Sequence, residues 1–289
     1  MGILNVTPDS FSERGLYFDR KAAIARGLEI EREGADILDI GGESTRPGAL
    51  PVDEEEELDR TIPVIEALRK KGLCIPISID TYIARVAERA LAAGAEIVND
   101  ISGLRLDASL AEVVQRYRAG VVLMHLRGTP RTMQQVPPVR DIVSAVRRGL
   151  AASLRRALRA GIRREQIVLD PGIGFGKKGE QNFELLAKLS RFARLGYPIL
   201  VGPSRKSFIR AATHSASSGQ AARERWLSGG KRKLMVAGNQ GISPVPEELL
   251  FGTAAAVTAA ILNGAHLVRV HDVRQMLLAV RIADHLREL

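Results

Sequence analysis

The chain has 289 residues, 45% of them hydrophobic and 26% charged, a balance ordinary for a globular protein rather than a disordered chain, and its length suits either two small domains or one large α/β barrel. Its 42 Lys and Arg against 33 Asp and Glu give a formal net charge of +9, compatible with small anionic substrates, a membrane surface or nucleic acid, but 4% aromatic residues leave few stacking platforms for single strands. Cys74 is the only cysteine, which excludes an intrachain disulfide or a thiolate cluster and fits a reducing cytoplasm.

The start, "MGILNVTPDSF", has no basic region, an apolar run too short for a signal peptide, and Val6 where a myristoylation signal needs Ser or Thr. No segment reaches the apolar length of a membrane span, so no membrane association is expected. From there one unit recurs: an amphipathic helical pattern, a Gly or short turn, a β-branched apolar run, then a polar residue. The apolar runs fall at Gly2–Val6, Ala35–Ile40, Cys74–Asp80, Ala95–Asp100, Gly120–His125, Gln166–Asp170, Tyr197–Gly202 and Ala265–Asp272. Continuous apolar strands alternating with helices predict a parallel sheet covered by helices. Eight units in one chain predict a closed TIM (β/α)8 barrel forming a single domain over 1–289, with a doubly wound open sheet as the alternative.

Three stretches carry separate expectations. Cys74 falls in an apolar run and reads as a small core residue. "RRGLAASLRRALRAGIRRE", Arg147 to Glu165, sets arginines around an Ala/Leu stripe and reads as a solvated helix face rather than a nucleic-acid patch. Ala211 to Pro246 is rich in Ser, Gly and charge, has no sustained period, and reads as a long, mobile surface insertion after the seventh strand, with the basic run at Lys231 solvated.

The strand ends carry a second signal. Asn5, Asp39, Asp80, Asn99, Asp100, His125, Asp170, Arg269 and His271 all fall at or near the C-terminal end of a run, the rim on which barrel enzymes place their chemistry. Any one of them reads as a cap or turn former; so many on one rim predict a site. At the sixth run, "LDPGIGFGKKGE" suggests a phosphate loop, yet Gly172 and Gly176 are one residue too close for a P-loop, and the third glycine comes one position early for a dinucleotide fingerprint. What remains is a strand ending in Asp170 and a tight glycine turn, with Lys177 and Lys178 expected to face solvent. The five histidines have no zinc-ligand spacing.

Taken together, "GILNVTPDSFS", "DILDIGGESTRPGA", "SIDTY", "AEIVNDISG", "LMHLRGTPRTMQ", "LDPGIGFGK", "GPSRKSFI" and "GAHLVRVHDV" resemble the dihydropteroate synthase family of pterin-binding enzymes, in order and at the expected strand ends. The resemblance implies a TIM barrel acting as a homodimer. It implies condensation of 6-hydroxymethyl-7,8-dihydropterin pyrophosphate with p-aminobenzoate, with Mg2+ and dissociative loss of pyrophosphate. It assigns Asp80, Asn99, Asp170 and Lys206 to the pterin. Asn5, Arg269 and His271 fall to the pyrophosphate, with Asn5 also a metal ligand. Phe11, Thr45, Arg46, Pro47, Phe175 and Ser207 fall to p-aminobenzoate. A pterin-binding methyltransferase shares the pterin-edge residues but needs neither pyrophosphate donors nor an arylamine slot; a paralogue that binds without turnover is the other alternative.

Overall fold

The computed structural model describes residues 1–7, 20–43, 52–217 and 246–288. All eight predicted strands occur among them, each shorter than the apolar run that announces it: β1 (Gly2–Asn5), β2 (Leu38–Gly41), β3 (Ile77–Asp80), β4 (Ile97–Asp100), β5 (Gly120–Met124), β6 (Ile167–Asp170), β7 (Leu200–Val201) and β8 (Leu267–Val268). β1 to β6 pair in sequence order and all in parallel, and β7 pairs with β8 in parallel. Single parallel bridges, Leu169 to Ile199 and Gly2 to Val270, join the two sheets at both edges. At the second edge Val270 N–H donates to the Met1 carbonyl and Ile3 N–H to the Val270 carbonyl. The ring is therefore closed, a (β/α)8 barrel and not the open sheet.

Around it lie α1 (Arg20–Arg32), α2 (Glu54–Lys70), α3 (Ala84–Ala92), α4 (Leu110–Tyr117), α5 (Ile142–Arg159), α6 (Glu180–Ala187), the single turn α7 (Ser190–Ala193), α8 (Ser207–Ser217), α9 (Pro246–Leu262) and α10 (Val273–Arg287). The start of α2 follows from its sequence. Asp53 accepts the Glu56 N–H at 2.8 Å, Glu54 to Glu57 fill the first turn, and Arg69 and Lys70 fill the last, all favourable to the helix dipole. Its inward stripe, Leu58, Ile62, Ile65 and Leu68, is buried at three- and four-residue spacing. α5 repeats the device, with Asp141 accepting the Ser144 N–H at 3.0 Å and Val146, Leu150, Leu154 and Ala157 buried. Arg147, Arg148, Arg155 and Arg159 are exposed, as expected of a solvated face. Arg156 departs from it, donating to the Gly103 carbonyl at 2.8 Å and pinning the turn after β4.

Two expectations are corrected. Cys74 is exposed rather than part of the core. The ladder begins at Ile77, and the residues before it are held from outside: Glu31 accepts the Cys74 N–H at 2.7 Å, and Arg69 donates to the carbonyls of Leu73 and Ile75. Residues 211–217, read as the start of the insertion, instead continue α8, because the helix begun at Ser207 runs on. Residues 218–245 lie outside the described part.

Leu68, fully buried in the core, is expected to lose about 2–5 kcal/mol of stability as Leu68→Ala. The cap variant Asp53→Ala is expected to lose only about 1 kcal/mol. Urea unfolding of both variants checks the difference, with unchanged denaturant slopes as the sign that neither alters the unfolded state.

Candidate active site

Parallel register sets Asn5, Gly41, Asp80 and Asn99 in one tier across four adjacent strands. Within the barrel Asp39 is fully buried, and Asn99 donates to its Oδ2 at 3.2 Å. Arg269, one residue past β8, completes the group: its Nε donates to Asp39 Oδ2 and its Nη2 to Asp80 Oδ2, at 2.5 and 2.6 Å. One guanidinium thus joins two carboxylates across the closure of the barrel. Burial pushes the Asp80 carboxyl up to about 7, with Arg269 opposing and the Asp39 charge adding to the rise. Burial alone would lower the Arg269 guanidinium, but the same two carboxylates more than offset it. Asp39 is legible in the sequence only as a polar strand residue, and its part in this group was missed.

The next polar cluster grows from "LDPGIGFGKKGE". Asp170 ends β6 almost buried, and its Oδ1 accepts the Gly172 N–H at 2.6 Å. Gly172 and Gly176 both have left-handed φ, 68° and 71°. A Cβ at Gly172 would overlap the His125 carbonyl oxygen, and one at Gly176 would lie 2.6 Å from that of Arg127. The glycines therefore let this loop press against the chain leaving β5. Lys178 is exposed, as expected, but Lys177 is not. It is 5% exposed and donates to the carbonyls of His125 at 2.5 Å and Gly172 at 2.7 Å, so its expected solvent-facing role is withdrawn. Asn182, another residue missed, accepts the Gly174 N–H at 2.7 Å and donates to the Lys177 carbonyl at 3.1 Å. The His125 ring is held neutral, its pKa pushed down to about 2 by burial and by the nearby Lys177 charge.

Lys206 joins the two clusters. Its half-buried ammonium donates to the Ile173 carbonyl and stands 4.2 Å from the centroid of the Phe175 ring. Burial lowers its pKa to about 7 while Asp170 opposes the shift. His271 is fixed by Ser204, whose Oγ lies 3.0 Å from its Nδ1 and accepts its backbone N–H. Ser207 opens α8. The rim among the described residues encloses a cleft of about 970 Å³, a size suited to a small organic ligand, with Asn5, Asp80, Phe175, Lys206, Ser207, Arg269 and His271 on its walls. Phe175 also packs, with Tyr82, against a small apolar cluster of Ile101, Met124, Leu126 and Met133. Phe11, Thr45, Arg46 and Pro47 lie outside the described residues.

The sequence profile described as "Pterin binding enzyme" matches residues 1–271. The chain belongs to this pterin-binding family. It is 45% identical to a dihydropteroate synthase of Synechocystis over 99% of this chain and 89% of that protein. It is 41% identical to the Bacillus subtilis dihydropteroate synthase, over 98% of this chain and 87% of that one. Its fold superposes on the Yersinia pestis dihydropteroate synthase solved with a sulfonamide drug complex, with a TM-score of 0.84 and 36% identity over all of this chain and 94% of that one. The Xanthomonas albilineans dihydropteroate synthase in complex with 7,8-dihydropteroate matches with a TM-score of 0.80 and 38% identity, over all of this chain and 93% of that one.

In this member of the family the rim beyond β2 rests on an uncharged acid. Glu57 of α2 is 1% exposed, and its Oε1 has no hydrogen-bond partner among the described residues. Burial pushes its carboxyl up to about 8; a Thr81 hydroxyl opposes the shift, and the Glu43 and Asp80 charges add to it. The side chain packs where a Cβ on Gly42 would fall, and Arg60 of the same helix donates to the Gly42 carbonyl at 2.8 Å. A raised folded-state pKa means that Glu57 favours the folded state below its ordinary pKa near 4.5 and loses that contribution as pH rises through about 8. Glu57→Gln is therefore expected to flatten the pH dependence of stability between those limits by as much as ~1.4 kcal/mol per pH unit. Urea midpoints at pH 6 and pH 8 check it; parallel shifts for the native chain and the variant would contradict a neutral Glu57.

Proposed function

We propose that the chain is a dihydropteroate synthase of folate biosynthesis, joining 6-hydroxymethyl-7,8-dihydropterin pyrophosphate to p-aminobenzoate with release of pyrophosphate. The observation that carries this reading is one cleft lined by the Asp80 carboxylate bonded to the Arg269 guanidinium, by the His271 imidazole, and by the Phe175 ring beside the Lys206 ammonium, with the Asp170 carboxylate buried at the end of β6.

In this reading Asp170, at the end of β6, receives the aminopyrimidine edge of the pterin, whose two parallel N–H donors match a carboxylate as a guanidinium does. Asp80 and Asn99 meet other ring nitrogens, and Lys206 reaches the ring carbonyl. Burial excludes water here, so a carboxylate left unmatched by ligand donors is costly and discrimination against non-pterin rings is strong. The pyrophosphate lies towards Asn5, Arg269 and His271. With Nε and one Nη2 donor committed to Asp39 and Asp80, the remaining N–H groups of Arg269 are those offered to phosphate oxygens.

Mg2+ fits this wall in one manner. Among the described residues no three His, Cys, Asp or Glu side chains form a group able to hold a metal ion, while Asn5, whose carboxamide oxygen is a hard ligand, lines the cleft. Asn5 would therefore hold an ion delivered with the pyrophosphate, which otherwise keeps water and phosphate ligands. When bound, the ion neutralises charge on the leaving group. Arg269 and His271 add donors where charge grows as the methylene carbon–oxygen bond breaks and its electron pair leaves with pyrophosphate. The arylamine nitrogen then forms the new carbon–nitrogen bond and sheds a proton. No enzyme nucleophile is required. Phe175 flanks the arylamine, and Ser207, at the N-terminus of α8, meets its carboxylate with hydroxyl and helix amides; Phe11, Thr45, Arg46 and Pro47 complete the slot in this reading.

The active form is a homodimer of single barrel domains. Leu278, Ile282 and Leu286 form an i, i+4 stripe on α10, each at least half exposed, Phe251 on the neighbouring α9 is 70% exposed, and exposed apolar residues of this kind favour association. No described helix is long and apolar enough to cross a membrane, and the lone cysteine suits a cytoplasmic enzyme.

Pyrophosphate release from the pterin substrate is expected to require Mg2+, to rise with p-aminobenzoate and to fall with a sulfonamide; pterin binding without release under any of these conditions would overturn the reading. Asp170→Asn is expected to weaken plain pterin binding by roughly 100-fold, the cost of an unmatched buried donor. His271→Ala should leave plain pterin binding within about threefold while weakening the pyrophosphate ester by roughly tenfold or more. Titration calorimetry with the two ligands checks the division, and equal losses on plain pterin would contradict it.

A further inference from the structure

Lys177 is the buried cation that the reaction above does not use. Both hydrogen bonds of its ammonium run to backbone carbonyls, one at the exit of β5 and one in the loop after β6, and no carboxylate is among its hydrogen-bond partners. Burying an ammonium against neutral acceptors is expensive, so the arrangement persists because other parts of the structure hold it. Its second acceptor is the significant one. The Gly172 carbonyl that receives Lys177 belongs to the residue whose N–H holds Asp170 Oδ1 at 2.6 Å. Asn182 secures the far side of the same turn, through the Gly174 N–H and the Lys177 carbonyl.

We propose that Lys177 is a positioning residue: it staples the β5 and β6 exits together and, through Gly172, sets the orientation of the Asp170 carboxylate. This rests on the assignment of Asp170 to the pterin edge. A free carboxylate can rotate about its terminal torsion over a broad range, and a bidentate donor pair tolerates little of that rotation. Fixing Gly172 from the carbonyl side holds its N–H in place and so selects one carboxylate plane before the ligand arrives. Left-handed φ at Gly172 and the contact of that residue with the His125 carbonyl belong to the same arrangement, since any Cβ there would push apart the two acceptors that Lys177 bridges. The two groups also act on each other's charge: burial raises the Asp170 carboxyl while Gly172, Lys206 and Lys177 pull it back towards the ionised form, and burial pulls the Lys177 ammonium well below the usual lysine range while Asp170 opposes that shift.

The test is a double-mutant cycle in the full chain with Lys177→Met, which keeps the length and removes the donors, and Asp170→Asn. A plain pterin is the probe. Lys177→Met alone is expected to weaken pterin binding by roughly tenfold, yet by less than about twofold in the Asp170→Asn background. The acid-side loss of pterin binding should move to higher pH in Lys177→Met, because the carboxyl loses a stabilising cation, while KM for p-aminobenzoate stays within about twofold. Native-like pterin affinity in Lys177→Met, or a full tenfold loss in both backgrounds, overturns the proposal. Should Lys177→Met fail to fold, the same cycle with Lys177→Gln decides, since a single amide reaches one carbonyl and a partial, Asp170-dependent loss is expected. Unchanged pterin binding in Asp170→Asn alone would instead overturn the pterin assignment, whatever Lys177 does.

Discussion

Two carboxylates inside a closed barrel can be ionised together only if a cation reaches them, and Arg269 is that cation. It directly follows the last strand and bonds to the second and third, so one side chain spans the seam at which the barrel closes on β1. Removing it would leave Asp39 and Asp80 buried and mutually repelling, the kind of loss that costs about 3–5 kcal/mol in proteins generally. Closure and chemistry are thus joined. The group to which the proposed function assigns the leaving anion is also the group that makes the rim carboxylates tolerable, and Asn99, bonded to Asp39, belongs to the same network.

Around this centre the site is assembled from backbone as much as from side chains. Lys177, Lys206, Arg60 and Arg156 all spend donors on carbonyls of rim turns. At Gly172 the residue whose carbonyl is held by Lys177 also donates its N–H to a carboxylate. Such long cations are the means by which irregular segments, with no ladder of their own, acquire fixed geometry. They account for part of the basic excess of the chain without any polyanionic partner.

The barrel and its rim were legible because parallel strands are buried on both faces, so each writes itself as an apolar run with a polar stop. Glu57 was illegible within a run of five acidic residues, although its spacing to Thr61, Val64 and Leu68 puts it on the buried stripe of α2. Cys74 misled for the opposite reason: the apolar run outlasts the ladder, and a carboxylate and a guanidinium replace the missing strand partners. Lys177 follows glycines in a turn, where a lysine ordinarily points outward, and what buries it is a carbonyl 52 residues earlier in the chain. Asp39 and Arg269 are 230 residues apart. Local pattern identifies the type of a residue and its strand; pairings at such separations exist only once the ring has closed.

α8 and α9 pack directly on one another, although residues 218–245 separate them in the chain. Their association fixes the two points that this stretch must connect. Once two such points are fixed, lengthening the connection is thermodynamically mild, about 0.6 kcal/mol for each doubling of a flexible loop. The barrel thus has a port between its seventh and eighth units where chain can be added or removed in evolution without re-registering a strand, a latitude denied to the glycine turn after β6, where even one added methyl group collides with a carbonyl.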